Sequence, residues 1–203
     1  MKHKSGFVNI IGNPNVGKST LMNALIGQNL SIITNKAQTT RHRIKGILSD
    51  ENYQIVFSDT PGIIKPAYKL QESMMQYVKS AFQDADVILY VVEIGENGLK
   101  DKDIFEKIKK LKIPLIILLN KIDLVTQEKV LIEIENWKNK FSDAVILPIS
   151  ALNGFNINEI INSIVELLPF SPPYYSKEEV TDKSERFFVE QIIREKILKH
   201  YKK

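Results

Sequence analysis

The stretch Gly12-Asn13-Pro14-Asn15-Val16-Gly17-Lys18-Ser19 fits the pattern G-x-x-x-x-G-K-[ST]. It is flanked as that pattern requires. Phe7-Val8-Asn9-Ile10-Ile11 before it reads as a buried strand, and Thr20-Leu21-Met22-Asn23-Ala24-Leu25-Ile26 after it reads as a helix. A strand, a glycine-bearing loop and a helix N-terminus turn several backbone N–H groups and a helix dipole toward one anion. Gly12 and Gly17 let the backbone close around phosphate oxygens. Lys18 reaches the outer phosphates, and the Ser19 hydroxyl joins a Mg²⁺ shell. Residues 12–20, with Thr20 opening the helix, are therefore the expected phosphate-binding loop.

The base is read elsewhere. Asn120-Lys121-Ile122-Asp123 follows the strand-like run Pro114-Leu115-Ile116-Ile117-Leu118-Leu119. A carboxylate at Asp123 accepts from guanine N1–H and from its exocyclic amine, and adenine offers neither donor. A site built around such a pair rejects the analogue lacking it by roughly 10⁴-fold or more. Asn120 and Lys121 brace the pocket. Ser150-Ala151-Leu152 follows a further strand-like run, 144–149, and its backbone is placed to meet the guanine carbonyl oxygen. Ligands of open α/β sheets bind at such strand ends.

Asp59-Thr60-Pro61-Gly62 ends the strand Tyr53-Gln54-Ile55-Val56-Phe57-Ser58. Asp59 is the expected outer-shell partner of Mg²⁺. The Gly62 N–H is expected to bond a γ-phosphate oxygen and to release when that phosphate leaves. In Gln38-Thr39-Thr40-Arg41-His42-Arg43, a threonine is positioned to ligate Mg²⁺ when GTP is bound. Thr40 is the first choice and Thr39 the second. Lys18, Thr40 and Gly62 are the expected catalytic set.

Strand-like runs near 7–11, 44–48, 53–58, 86–93, 114–119 and 144–149 alternate with helical runs near 19–28, 69–83, 100–111, 126–140 and 156–168. This predicts an α/β fold: a mostly parallel six-stranded sheet with helices on both faces and one antiparallel edge. The chain has 203 residues, enough for one domain of about 170 residues and an appendage. We read residues 1–170 as the nucleotide-binding domain, 171–186 as a proline-rich linker and 187–203 as a helix opening a further domain. On that helix Val189, Ile193 and Ile197 recur at spacing four beside Ile192. Such a face docks, pairs with another chain, or belongs to a larger domain. Arg194, Lys196, Lys199, Lys202 and Lys203 make its end basic, as a solvated face or an RNA contact. There are no cysteines, which excludes disulfides and thiolate metal sites, and three scattered histidines make no metal cluster. With no signal-like N-terminus and no apolar run of about eighteen residues, a cytoplasmic location is expected. The net charge of +4 suits anionic partners and an ordinary surface equally.

Taken in order, GNPNVGKS, QTTRHRI, DTPG, NKID and SAL resemble the Era-type GTPases, a translation-factor-like group. Thr181-Asp182-Lys183-Ser184-Glu185-Arg186-Phe187-Phe188 resembles that family's linker into its RNA-binding KH domain. The resemblance implies a P-loop NTPase G domain that binds GTP and GDP with Mg²⁺ and hydrolyses GTP as a switch in small (30S) ribosomal subunit assembly. It implies 16S rRNA 3′-end binding by the full-length parent, and peripheral association with the inner membrane. No DNA partner is implied. The alternatives are a nucleotide-controlled binding module, or an Era-type GTPase of tRNA modification or large-subunit assembly. The GxxG clamp of a KH domain is absent after residue 168. Its spacing occurs only at Gly95-Glu96-Asn97-Gly98, read as a loop. The resemblance also places a potassium ion near Asn15, whose other reading is a turn-shaping residue. Ile63 stands where Ras-like proteins often carry a water-orienting glutamine. An aliphatic side chain cannot do that, so slow intrinsic turnover is expected, with the activating group supplied from elsewhere.

Overall fold

The structure, a computed structural model, describes residues 3–34 and 39–200. The expectations placed on Gln38, on the first two residues, and on Lys202 and Lys203 lie outside the described residues. The strands are β1 (Lys4–Ile11), β2 (Ile44–Ser49), β3 (Tyr53–Asp59), β4 (Val87–Glu93), β5 (Leu115–Asn120) and β6 (Val145–Pro148). The helices are α1 (Lys18–Ile26), α2 (Lys69–Ala81), α3 (Lys102–Lys109), α4 (Gln127–Lys140), α5 (Ile157–Leu167) and α6 (Glu185–His200). The sheet order is β2-β3-β1-β4-β5-β6. All neighbours are parallel except β2 and β3, which form an antiparallel hairpin at one edge.

The apolar runs stay nearly unbroken because both sheet faces are covered. Along β4, Val87, Leu89 and Val91 enter one core with α1 and α5, through Leu21, Met22, Leu25, Ile160 and Ile164. Ile88, Tyr90 and Val92 enter the other, under α2, α3 and α4, with Met74, Val78, Ile108 and Trp137. The ends of elements shift by a few residues from the sequence reading. β1 starts at Lys4 rather than near residue 7 because Lys4 and Ser5 pair with Tyr53 and Gln54.

The segment read as a linker is hydrogen-bonded to the sheet. Gln54, buried on β3, accepts at Oε1 from the N–H groups of Tyr174 (2.7 Å) and Tyr175 (2.9 Å). Its Nε2 donates to the Tyr175 carbonyl at 2.9 Å. Farther on, Ile47 N–H donates to the Val180 carbonyl at 2.8 Å, and Thr181 Oγ1 to the Lys45 carbonyl at 2.8 Å. A proline cluster signals a break in helix and strand, but not that the chain beyond it will lie along β2.

The helical face of Val189, Ile192, Ile193 and Ile197 does not dock on the domain. All four are at least half exposed. The half-buried side of α6 carries Gln191, Arg194, Glu195 and Leu198 instead, and Phe188 reaches the rim of the first core.

Candidate nucleotide site

The loop between β1 and α1 is shaped by contacts that leave no room for side chains. Gly17 has φ 97°, in the left-handed region, and a methyl group there would overlap Asn120 Nδ2. A methyl at Gly12 would overlap the Val91 carbonyl. Asn15 is also left-handed, with φ 64°. α1 begins without a side-chain cap and without an acidic residue in its first turn, so its leading N–H groups face the cleft. By contrast α3 and α4 are capped by Asp101 and Thr126.

Lys18 is buried, and its Nζ donates to the carbonyls of Asn13 (2.7 Å) and Gly12 (3.3 Å). Burial pulls its pKa down to about 8, against the pull of Asp59 and Glu96. Asp59 is fully buried. Burial raises its carboxyl above the usual range, while Lys18 and the Ser19 and Thr40 hydroxyls draw it back. Asp59 Oδ2 accepts from Ser19 Oγ at 2.8 Å and from Thr40 Oγ1 at 3.4 Å, and those two hydroxyls are 3.0 Å apart. Asp59 Oδ1 is buried with no hydrogen-bond partner among the described residues. Two hydroxyls and a carboxylate with a spare oxygen form a hard donor set that fits Mg²⁺. Thr39 Oγ1 pairs with Thr34 Oγ1 at 2.7 Å, so of the two threonines Thr40 is the one beside Ser19 and Asp59.

At the other end, Asn120 ties two loops together. Its Nδ2 donates to the Val16 carbonyl at 2.8 Å, and its Oδ1 accepts from Ala151 N–H at 3.0 Å. Ser150 Oγ donates to Asp123 Oδ1 at 2.6 Å, which fixes the carboxylate at the cleft mouth. Leu124 and Leu152 stand there more than two-thirds exposed. Exposed leucines lining a cleft mouth beside a fixed carboxylate suit a planar ring.

The cleft holds about 480 Å³ and is lined by Pro14, Asn15, Gly17, Lys18, Ser19, Thr20, Thr40, Gly62, Asn120, Lys121, Asp123, Ala151 and Leu152 among others. Two expected binding residues serve differently. The Asn13 side chain is buried and turned from the cleft, donating to Glu96 Oε2 (3.2 Å) and the Gly98 carbonyl (3.0 Å). Val16 points into the core and offers only its carbonyl. Gly12 and Asp59 sit behind the lining. Ile32, Ile33, Thr34 and Leu124 line the cleft without having been singled out in the sequence, as does Thr60, quoted there within its motif but given no role. Asn23 arranges the first of these: its Oδ1 accepts from Leu30 and Ser31 N–H, leading the chain across the cleft. No motif marks that segment.

Ile63 is fully buried in the second core, and its N–H donates to the Gly12 carbonyl at 3.0 Å. Its aliphatic side chain therefore has a packing role. Ile63→Ala is expected to cost about 2–4 kcal/mol of stability, and Ile63→Val about 1 kcal/mol, with the chemical step in Ile63→Val close to that of the parent. Urea unfolding and single-turnover phosphate release measure the two effects separately.

A phosphate loop, a hydroxyl and carboxylate donor set and a carboxylate fixed at the mouth, joined in one cleft, define a P-loop nucleotide-binding domain. Residues 7–121 match the sequence profile of a family described as "50S ribosome-binding GTPase". GTPase Era of Staphylococcus epidermidis is 44% identical over 97% of this chain, and that of Staphylococcus haemolyticus 45% over 97%. The chain spans 66% of the length of these curated relatives. A crystal structure of Era with MgGDPNP and nucleotides 1506-1542 of 16S ribosomal RNA superimposes with a TM-score of 0.93 at 39% identity, covering 99% of this chain and 69% of that one. A single-residue variant of Aquifex aeolicus Era bound to GDP.AlF4- gives 0.92 at 38%, covering 98% and 69%. The chain belongs to this GTPase family and, within it, to the Era type.

Proposed function

We propose that this chain binds GTP and GDP with Mg²⁺ and hydrolyses GTP slowly, as the switch of a small-subunit assembly factor. The observation that carries the reading is the convergence of Lys18, Ser19, Thr40 and Asp59 at one end of the cleft with Asn120, Asp123 and Ser150 at the other. Lys18 and the N–H groups of residues 15–20 hold the phosphates. Ser19 and Thr40, with Asp59 behind them, hold Mg²⁺, which supplies charge neutralisation at the outer phosphates. The Gly62 N–H senses the terminal phosphate, and its α-carbon is packed so tightly on Pro14 that a methyl group would not fit. The test is Mg²⁺-dependent GTP against ATP binding, followed by phosphate release with and without small ribosomal subunits. Equal affinity for GTP and ATP would end the reading.

Ile63 favours a second emphasis. With its side chain buried, it leaves the cleft without a water-orienting group at that position, so nucleotide-controlled binding of a partner is the main output and turnover is slow. An effect of the partner on nucleotide affinity without an effect on turnover would support this reading over the switch.

The complex of Era with a 16S rRNA segment supports rRNA recognition by the full-length parent. One basic helix supplies salt-dependent phosphate contacts and no sequence readout. Residues 1–203 are therefore expected to bind the RNA end far more weakly than the parent at about 150 mM salt. The family resemblance also supports a cytoplasmic protein with some association at the inner membrane surface, which cell fractionation tests. No described helix is long and apolar enough to cross a membrane.

The left-handed Asn15 lies in the cleft wall, in keeping with a monovalent cation beside the phosphates. Hydrolysis is expected to be about tenfold faster in K⁺ than in Na⁺ at equal ionic strength, on the scale of one added charge contact, and Asn15→Ala to erase the difference. Equal rates in the two salts would leave Asn15 a turn residue.

A further inference from the structure

Neither the family motifs nor the cleft lining includes the four-residue turn that ends β4. Glu96 N–H donates to the Glu93 carbonyl at 2.9 Å, and Glu93 N–H faces Glu96 Oε2 at 3.4 Å, closing Glu93-Ile94-Gly95-Glu96 on itself. Gly95 has φ 91°, a left-handed conformation that lets the turn close. From this one turn two carboxylates point to opposite ends of the nucleotide cleft. Glu96 accepts from Asn13 Nδ2 in the phosphate loop at 3.2 Å. The Asn13 amide is then fully used: Nδ2 also reaches the Gly98 carbonyl at 3.0 Å, and Oδ1 accepts from Lys100 N–H at 3.1 Å. Glu93 pairs with Lys121 Nζ at 2.6 Å, beside Asp123 in the base-reading loop, and Ile94 N–H donates to the Asn120 carbonyl at 3.0 Å.

We infer that Glu93 and Glu96 are positioning residues that brace the phosphate loop and the base-reading loop against one turn and so set the lifetime of bound nucleotide. The inference rests on the guanine-nucleotide reading of the cleft. Neither carboxylate lines that cleft. The action of Glu96 passes through Asn13, whose own carbonyl accepts from Lys18. That of Glu93 passes through Lys121. A ligand that spans the cleft is held only while both loops keep their spacing. Loss of either brace lets one loop relax, and release accelerates.

The experiment measures release of a fluorescent GDP from the full chain with Mg²⁺. Glu96→Ala is expected to speed release about tenfold, the scale of one hydrogen bond to a charged group. Glu96→Gln keeps an oxygen that accepts from Asn13, and should stay within about threefold of the parent. Glu93→Ala should also speed GDP release. Pyrophosphate fills the phosphate end alone, so its affinity should fall in Glu96→Ala and hold in Glu93→Ala. Thermal unfolding of each nucleotide-free variant separates a loosened loop from a damaged fold. Release at the parental rate in both alanine variants overturns the inference. So does a Glu96→Gln variant as fast as Glu96→Ala, or equal pyrophosphate loss in Glu93→Ala and Glu96→Ala. Failure of the parent chain to retain GDP overturns the nucleotide reading itself.

Discussion

Replacing Lys18 with methionine is expected to lower GTP affinity by about 10³-fold, the scale of breaking a buried charge pair, and at the same time to stabilise the nucleotide-free protein. The two effects share a cause. Lys18 is enclosed by the protein and held by two carbonyls of its own loop. Burial lowers its pKa from 10.5 to about 8, so the fold works against a proton that the phosphates require. A depression of that size corresponds to about 3 kcal/mol at neutral pH. Part of it is offset by what the Gly12 and Asn13 carbonyls lose, leaving an expected gain of about 1–3 kcal/mol for Lys18→Met. Because the folded-state pKa lies below the unfolded one, the cost is full below pH 8 and fades as pH rises from 8 to 10.5. The stability advantage of the methionine variant should fade over the same window. In the parent, nucleotide binding must restore the proton, so GTP affinity should fall as pH rises above 8. Urea unfolding and GTP titrations across pH 7–10 measure both. A methionine variant that is less stable and still binds GTP would remove Lys18 from the phosphate site.

Asp123→Asn should exchange base preference. In the structure one carboxylate oxygen is held by the Ser150 hydroxyl at 2.6 Å, so the group presents a fixed edge to the cleft mouth. Guanine offers that edge two donors. An asparagine keeps one acceptor and introduces an N–H₂, which faces the guanine amine and leaves a desolvated donor unmatched. Xanthine carries an oxygen at that position and accepts from the new amide. GTP affinity should drop roughly 10²–10³-fold and xanthosine triphosphate should become the better ligand, in keeping with the scale of rejection at a mismatched hydrogen-bonding site. Competition between the two nucleotides decides it. Retained preference for GTP would remove Asp123 from the base pocket.

The sequence shows most clearly those parts of the site whose chemistry is local. Gly17, Lys18 and Ser19 act within one loop, and the strand and helix around them are visible as apolar runs of different period. The same holds for the six strands, and along β4 and β5 successive side chains alternate between the two cores. What the sequence conceals acts across long chain separations. Asn13 meets Glu96 and Lys121 meets Glu93 only after β1, β4 and β5 have aligned. The path of Ile32, Ile33 and Thr34 over the cleft depends on one amide, Asn23, in a helix interior that looks ordinary. For α6, the apolar spacing of Val189, Ile193 and Ile197 is present, but spacing alone does not say which side meets the body. Arg194 and Leu198 turn inward instead.

The strap that follows α5 also sets how far the chain must run before the sheet is safe from pairing with another molecule. β2 is a rim strand, and its outward Ile47 N–H and Lys45 carbonyl are occupied by Val180 and Thr181. A fragment cut at Leu168 would expose this row of backbone groups, which is a ready template for strand addition. Gln54, sealed beneath Tyr174 and Tyr175, would lose its partners as well. A piece that keeps this edge covered therefore ends beyond Thr181, more than ten residues past the last helix of the α/β layer.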